Sequence, residues 1–255
     1  MRVSPDHGDS MRAWAVHGPG PIDVAPLQLV QRPIPDPGPG QVRIRVAVCG
    51  VCRTDLHLAE GDLAPHVDAA VPGHEVVGYI DKAGPGSGRF AVGVRVGAAW
   101  LASSCGDCRF CQRDDENLCL EPRFTGWDID GGFAEFMVAD ERFIYLLPAS
   151  FDDGAVAPLL CAGIIGYRSL RRTELRSGGQ LGLWGFGGSA HLTAQVAMDE
   201  GATVHVSPAR TGIRSWREPS APPRSVVHPN DRRYPSTAPS SSRRSARSSP
   251  THWRH

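Results

Sequence analysis

The chain has 255 residues, 41% hydrophobic and 21% charged, and its 27 Lys and Arg balance 27 Asp and Glu. Those values suit an ordinary globular protein with room for two modest domains. No apolar run approaches the roughly 20 residues of a spanning helix, and Met1-Arg2-Val3-Ser4-Pro5-Asp6 leads into no apolar export segment, so a cytoplasmic protein without membrane partners is expected.

In chain order, residues 1–10 are polar and expected to be disordered, with Met11 a candidate start. Met11 to Val16 reads as a first strand. Leu27 to Val30 and Val42 to Val46 alternate apolar and polar with period two, and the Pro/Gly-rich stretch Pro33 to Gly40 between them is a turn-rich connection. Val76 to Ile80 and Phe133 to Val138 continue the pattern, which predicts a small barrel-like β domain over 11–152. Near residue 152 the texture changes. Asp152-Asp153-Gly154 starts a predicted helix that runs from Ala155 to Leu170 and carries Cys161. Leu181 to Trp184 then reads as a buried strand, Gly185 to Gly188 as a tight turn, Ser189 to Asp199 as a helix and Thr203 to Val206 as a second strand. That is the opening of a βαβ unit, so 153–206 is read as part of a doubly wound domain and the class as mixed α/β.

From Ser207 to His255, 29 of 49 residues are Ser, Arg or Pro. Ten Arg there face only Glu218 and Asp231, a charge of about +8 that the preceding part must offset. Such a segment buries too little apolar surface to offset its ordering entropy, so 207–255 is expected to be a disordered tail.

Seven cysteines, most of them clustered, suggest metal rather than disulfides in a cytoplasmic protein. Cys105, Cys108, Cys111 and Cys119 lie at gaps of two, two and seven residues and can close a tetrahedral shell around a structural zinc. Cys49, in an apolar run, reads as a core residue. A second set is scattered. Cys52, His74 and Cys161 offer two thiolates and an imidazole, which leave a zinc one open position for an oxygen ligand. Thr54 can then exchange a proton with that oxygen and His57 can pass it outward. Asp55 and Glu75 are expected outside the ligand set, as carboxylates that bond the other nitrogen of His74 and fix its tautomer. His17 and His66 read as ordinary loop histidines. Gly185-Phe186-Gly187-Gly188-Ser189-Ala190 lies between a predicted strand and helix, where Gly185, Gly187 and Gly188 would let backbone N–H groups approach a pyrophosphate. The acidic residue expected about 20 positions later, which would hold the ribose hydroxyls, is replaced by Ser207-Pro208-Ala209-Arg210. The choice between NAD and NADP therefore stays open.

Taken together, Gly50-Val51-Cys52-Arg53-Thr54-Asp55, Gly73-His74-Glu75, the four-cysteine lobe, Gly126-Trp127-Asp128, Gly131 to Glu135, Cys161-Ala162-Gly163 and the glycine turn resemble the zinc-dependent alcohol dehydrogenases of the medium-chain dehydrogenase/reductase superfamily. The two-Cys, one-His set is the one by which the catalytic zinc of alcohol dehydrogenase is already known. The resemblance implies a GroES-like catalytic domain, an incomplete Rossmann domain, two zinc ions and NAD or NADP. It also implies a small alcohol or aldehyde substrate and a homo-oligomer in intact members of the family. Arg53 matches a position that contacts the cofactor pyrophosphate in some members, and Trp100 and Trp127 are candidates for the substrate pocket. The family pattern stops after Val206, and the following Arg/Ser/Pro/Ala composition is that of a shifted reading frame in GC-rich coding sequence, an origin to which the single lysine, Lys82, also points. On that reading this chain is inactive. The alternative is a non-enzymatic four-cysteine zinc module whose basic tail binds nucleic acid through phosphate contacts, although its arginines lack interleaved aromatic residues.

Overall fold

The structure, a computed structural model, describes residues 9–207 and the backbone of Arg214 and Ser215. Strands β1 (Ser10–Val16) and β2 (Leu27–Pro33) form an antiparallel ladder in which Trp14 faces Leu29. Strand β3 (Gln41–Gly50) leads into helix α1 (Arg53–Glu60), and β4 (Glu75–Ala83), β5 (Arg95–Ala98) and β6 (Leu101–Ser103) follow. After an excursion come β7 (Arg123–Phe124), β8 (Phe136–Asp140) and β9 (Ile144–Leu146). The last part carries α2 (Asp153–Val156), α3 (Ala162–Arg172), β10 (Gln180–Trp184), α4 (Gly188–Asp199), β11 (Thr203–Ser207) and β12 (Arg214–Ser215).

Among the described residues, the main sheet runs β8-β3-β4-β5-β9 with every pair antiparallel. Because side chains alternate across a strand, Val42 and Ile44 of β3 point into a core shared with Val76, Ile80, Val96, Met137 and Ile144. Two register shifts in β3, at Arg43/Ile44 and Val46/Val48, mark irregularities that bend a strand and sharpen its twist. Beyond them the ladder still ends with Gly50 opposite Glu75, which brings the segment after β3 beside the segment before β4. Cys52 and His74 occupy those two segments.

The expected strand from Phe133 begins only at Phe136. Phe133 to Glu135 instead run along β1, where Trp14 N donates to Phe133 O at 2.8 Å and Glu135 N to Arg12 O at 3.1 Å. The same three residues thus join the β1-β2 ladder to the main sheet. The single helix expected over 155–170 is broken. A 3-10 turn, Ala157–Leu160, follows α2, and α3 starts only after Cys161, whose backbone (φ −128°, ψ −75°) is not helical. Pro158 lacks the N–H that a continuous helix requires at its position, and Cys161 therefore sits at a corner instead of on a helix face.

Strands β10 and β11 pair in parallel and β12 joins β11 antiparallel. Strand β10 is only half covered: Leu181 is buried and packs with Leu170, Ala194 and Val204, whereas Trp184 is 84% exposed. The expectation of a fully buried strand fails because helices α3 and α4 cover one face of this small sheet. Ser10 already belongs to β1, so the disorder expected for 1–10 does not extend to it; residues 1–8 lie outside the described residues. Similarly, Ser207 ends β11 and Arg214–Ser215 form β12, while the rest of the expected tail lies outside the described residues. No helix among the described residues is long and apolar enough to cross a membrane.

Candidate metal centres and the cofactor turn

Cys52 is the N-cap of α1, and its position is fixed from three residues on. Asp55 Oδ2 accepts the Cys52 N–H at 2.8 Å, the return bond of a capping box. The other oxygen of the same buried carboxylate accepts Gly73 N–H at 3.0 Å and lies 3.4 Å from His74 Nδ1, without hydrogen-bond alignment. One carboxylate therefore sets the spacing between the helix cap and the histidine. Gly73 makes the turn before His74 at φ +99°, where a side chain would also collide with Phe133 and Cys49 Sγ. His74 itself is 1% exposed.

At the end of this turn the side chains of Cys52, His74, Glu75 and Cys161 converge, with one ligand atom from each within 4.8 Å of all the others. Cys161 arrives from the corner before α3, and its sulfur is 3.7 Å from that of Cys52. Two thiolates held by one tetrahedral zinc at about 2.3 Å each lie about 3.8 Å apart, whereas a disulfide needs about 2.05 Å. The spacing fits a shared metal ion. Glu75, expected to lie behind His74, instead directs its carboxylate into the ligand group. It can do so because residue 50 is glycine: a Cβ there would stand 2.0 Å from Glu75 Oε2. The carboxylate that faces the far nitrogen of His74 is Asp55.

The four donors and their burial act strongly on one another. Burial pulls the His74 imidazole down, but Asp55 and Cys161 outweigh it and raise it to about 10. Burial raises the Cys52 thiol, while the Thr54 amide and hydroxyl, with His74, bring it below the usual range. His74 lowers Cys161, but burial and the neighbouring Cys52 leave it above that range. Burial likewise raises Glu75. A divalent cation reverses this pattern by displacing the protons.

The second group lies in the excursion between β6 and β7. Cys105, Cys108, Cys111 and Cys119 point inward, with Sγ–Sγ separations of 3.5 Å (Cys105–Cys119), 3.6 Å (Cys108–Cys111) and 3.9 Å (Cys105–Cys111). These bracket the tetrahedral zinc value. Backbone N–H groups of Cys105 and Glu121 each donate to Cys119 Sγ at 3.3 Å. The loop is thus already folded around acceptor sulfurs. The amides of Cys111 and Leu120 hold Cys108 down at about 6, while the Asp107 carboxylate pushes Cys105 up to about 12. Cys49 belongs to neither group, and burial pushes its thiol up to about 12.

Thr54 is half-buried, with its hydroxyl 3.8 Å from Cys52 Sγ. His57, in the last turn of α1, pairs through Nδ1 with Asp62 at 2.9 Å on the solvent side. Trp100 meets the His74 ring edge-on at 4.9 Å and stacks on Phe124 at 4.9 Å and on Trp127 at 6.0 Å. His66 extends the stack, 4.2 Å from Trp127, with its Nδ1 2.6 Å from Asp128 Oδ1. Neither Phe124 nor His66 is signalled by the sequence: pairing of β7 with β6 sets Phe124 opposite Leu101 and beside Trp100, and the turn after β7 brings Trp127 against His66. Gly185 N donates to Ser207 O at 2.8 Å, Gly187 is the N-cap of α4 and Gly188 its first residue. A Cβ at Gly185 or Gly187 would meet no atom within 4 Å, so the turn faces open space at a helix N-terminus. Arg53 is exposed at the start of α1.

Residues 38–149 match the alcohol dehydrogenase GroES-like domain. The chain is 54% identical over 209 residues to a probable alcohol dehydrogenase AdhA of Mycobacterium tuberculosis (strain CDC 1551 / Oshkosh), covering 80% of this chain and 60% of that protein. It is 43% identical over 185 residues to an alcohol dehydrogenase of Rhizobium meliloti (strain 1021), covering 72% and 54%. Among solved structures it resembles a cobalt- and zinc-bound thermostable alcohol dehydrogenase from Pyrobaculum aerophilum (28% identity, TM-score 0.72, 79% of this chain and 60% of that one). A Helicobacter pylori CAD complexed with NADP(H) is similar at 28% identity and TM-score 0.70, over 77% and 58%. The chain thus spans at most about three-fifths of the length of these relatives. Residues 38–149 thus match the alcohol dehydrogenase GroES-like domain, and the chain is similar over most of its length to alcohol dehydrogenases, one of them bound to cobalt and zinc.

Proposed function

We propose that this sequence encodes the zinc-binding catalytic part of an alcohol dehydrogenase that interconverts a small alcohol and its aldehyde or ketone with NAD or NADP. The observation that carries the reading is the convergence of Cys52, His74 and Cys161, drawn from three separate elements, on one point with thiolate spacing suited to a single metal. These three would hold the reactive zinc, with Glu75 in reach as a further oxygen donor. Cys105, Cys108, Cys111 and Cys119 would hold a structural zinc with no position left for substrate. When bound, zinc supplies Lewis acidity toward an alcohol oxygen and the nicotinamide accepts hydride.

The chain's own residues do the rest. Thr54, beside Cys52, accepts the hydroxyl proton of the alcohol as it passes its own proton outward, and His57, whose Nδ1 lies 2.9 Å from Asp62, hands it to solvent. Trp100, Phe124 and Trp127 form an aromatic wall next to His74 that excludes water and accepts the carbon skeleton of the substrate. The turn at Gly185, Gly187 and Gly188 takes the pyrophosphate with its N–H groups, and exposed Arg53 adds a cation. On this reading 11–152 is the catalytic unit, 153–206 a portion of the cofactor unit, and the protein works in the cytoplasm, which its free thiols favour.

The non-enzymatic alternative requires the four-cysteine lobe to stand as a separate module. Its place between two paired strands inside a GroES-like domain favours the enzyme instead. The described part of the cofactor sheet has one parallel pair and leaves Trp184 exposed, and parallel pairs are stable only with both faces covered. A polypeptide of residues 1–207 alone should therefore bind zinc without reducing NAD or NADP. The test is a chimera of residues 1–206 with the remaining cofactor domain of the Mycobacterium tuberculosis relative. Alcohol-dependent reduction of NAD or NADP by the chimera is expected, and a correctly folded, zinc-loaded chimera inactive on every simple alcohol would remove the proposal.

A further inference from the structure

Residues Ala69 to Gly73, which carry His74 into place, are held at one end by Asp55. At the other end stands a residue outside both donor groups. Arg32, on β2, is far from the metal-binding side chains in sequence, and its side chain is 24% exposed. Its Nη1 donates to Asp130 Oδ2 at 2.7 Å, and its Nη2 donates to the Ala69 carbonyl. Ala69 stands at φ +50°, a left-handed conformation that a residue with a Cβ adopts only when its surroundings impose it. The other oxygen of Asp130 accepts Val71 N–H at 3.2 Å. From there the backbone is fully tied. Gly131 N donates to Val71 O at 2.7 Å, Phe133 N to Pro72 O at 3.0 Å, and Gly132 N to Gly73 O at 2.8 Å.

The guanidinium thus joins the one left-handed alanine of the segment to the carboxylate that sets the register of the three residues before His74. A planar fork can reach a carbonyl and a carboxylate at once, which a lysine cannot do in the same geometry. We propose that Arg32 is a positioning residue for the metal centre: by holding Ala69 and Asp130 it places His74 opposite Cys52 and Cys161, and so sets the metal affinity of that site alone. The proposal rests on the reading of Cys52, His74 and Cys161 as a metal site. The four-cysteine lobe, which shares none of these bonds, should not respond.

The experiment uses the zinc-stripped chain, titrated with cobalt(II) in competition with a chelator, and follows the thiolate-to-cobalt absorption of each site. The unmodified chain should take two cobalt ions; if it takes only one, the metal-site reading fails along with the proposal. Arg32→Met should weaken one of the two by roughly 10- to 100-fold, the scale for losing a partner behind a metal ligand, and leave the other unchanged. Arg32→Lys should fall between the two. Adding Ala69→Gly to Arg32→Met should restore part of the affinity, because glycine adopts the left-handed conformation without help. If Arg32→Met does not fold, Arg32→Lys with and without Ala69→Gly decides. Native affinity at both sites in these variants, or equal losses at both, overturns the role of Arg32 while leaving the two-site reading intact. An Ala69→Gly addition that restores nothing also counts against it.

Discussion

Replacing Asp55 by Asn keeps the shape of a side chain that is 4% exposed and removes its charge. The carboxylate accepts from Cys52 N at 2.8 Å and Gly73 N at 3.0 Å, and faces His74 Nδ1 at 3.4 Å. An amide offers one oxygen and one NH2, so one of the two backbone N–H groups must face a donor. Losing a hydrogen bond to a charged acceptor at a buried site costs about 2 kcal/mol, and the orphaned N–H adds to that. The larger effect falls on the metal. With no carboxylate charge facing its Nδ1, His74 should hold metal roughly 10- to 100-fold more weakly. Chelator competition on the zinc-stripped protein measures this, with the four-cysteine site as internal control. Thermal unfolding measures the stability cost. If Asp55→Asn binds the second metal as tightly as the native protein while unfolding at the same temperature, the clamp assigned to this carboxylate does not exist.

Gly50→Ala should displace Glu75, since the added Cβ would stand 2.0 Å from Oε2; a crystal structure of the variant with Glu75 unmoved would contradict this. The raised His74 sets a pH dependence in the metal-free protein. A group lifted from 6.5 to about 10 on folding contributes stability that is complete below about pH 6.5 and lost as pH climbs through 10. The urea midpoint of stripped protein should therefore fall between pH 6.5 and 10, and the fall should shrink in His74→Asn; an undiminished fall in that variant assigns it to other groups. In the active chimera, Thr54→Val should slow the chemical step by about 10²-fold or more without loss of zinc, and normal turnover would give Thr54 a structural role only.

The lobe cysteines are legible in sequence because their gaps are short and a tetrahedral shell needs only local loops to close. The mixed α/β class and the βαβ opening also follow from local pattern, since period-two runs and a glycine turn before a helix need no tertiary context. What escapes the sequence depends on register and on breaks. Glu75 joins the ligand group because β3 and β4 pair so that it lies opposite a glycine, and no local pattern encodes that pairing. Cys161 sits at a corner because Pro158 interrupts an otherwise helical composition. Trp184 is exposed because coverage of a strand is set by its neighbours, whatever its own hydrophobicity. His66 looks like a loop histidine until the turn before Ile129 brings Trp127 and Asp128 against it.

The central claim is that one chain builds two independent zinc sites, one closed and one open. Metal analysis of the purified protein tests it most directly, on the native chain and on Cys161→Ala and Cys108→Ala. The account predicts about two zinc ions in the native chain, from the two donor groups of the structure, and about one in Cys161→Ala with the lobe intact. Cys108→Ala should lose the other and destabilise the region around it. A native chain with one zinc that survives the loss of Cys52, His74 or Cys161 would contradict the account.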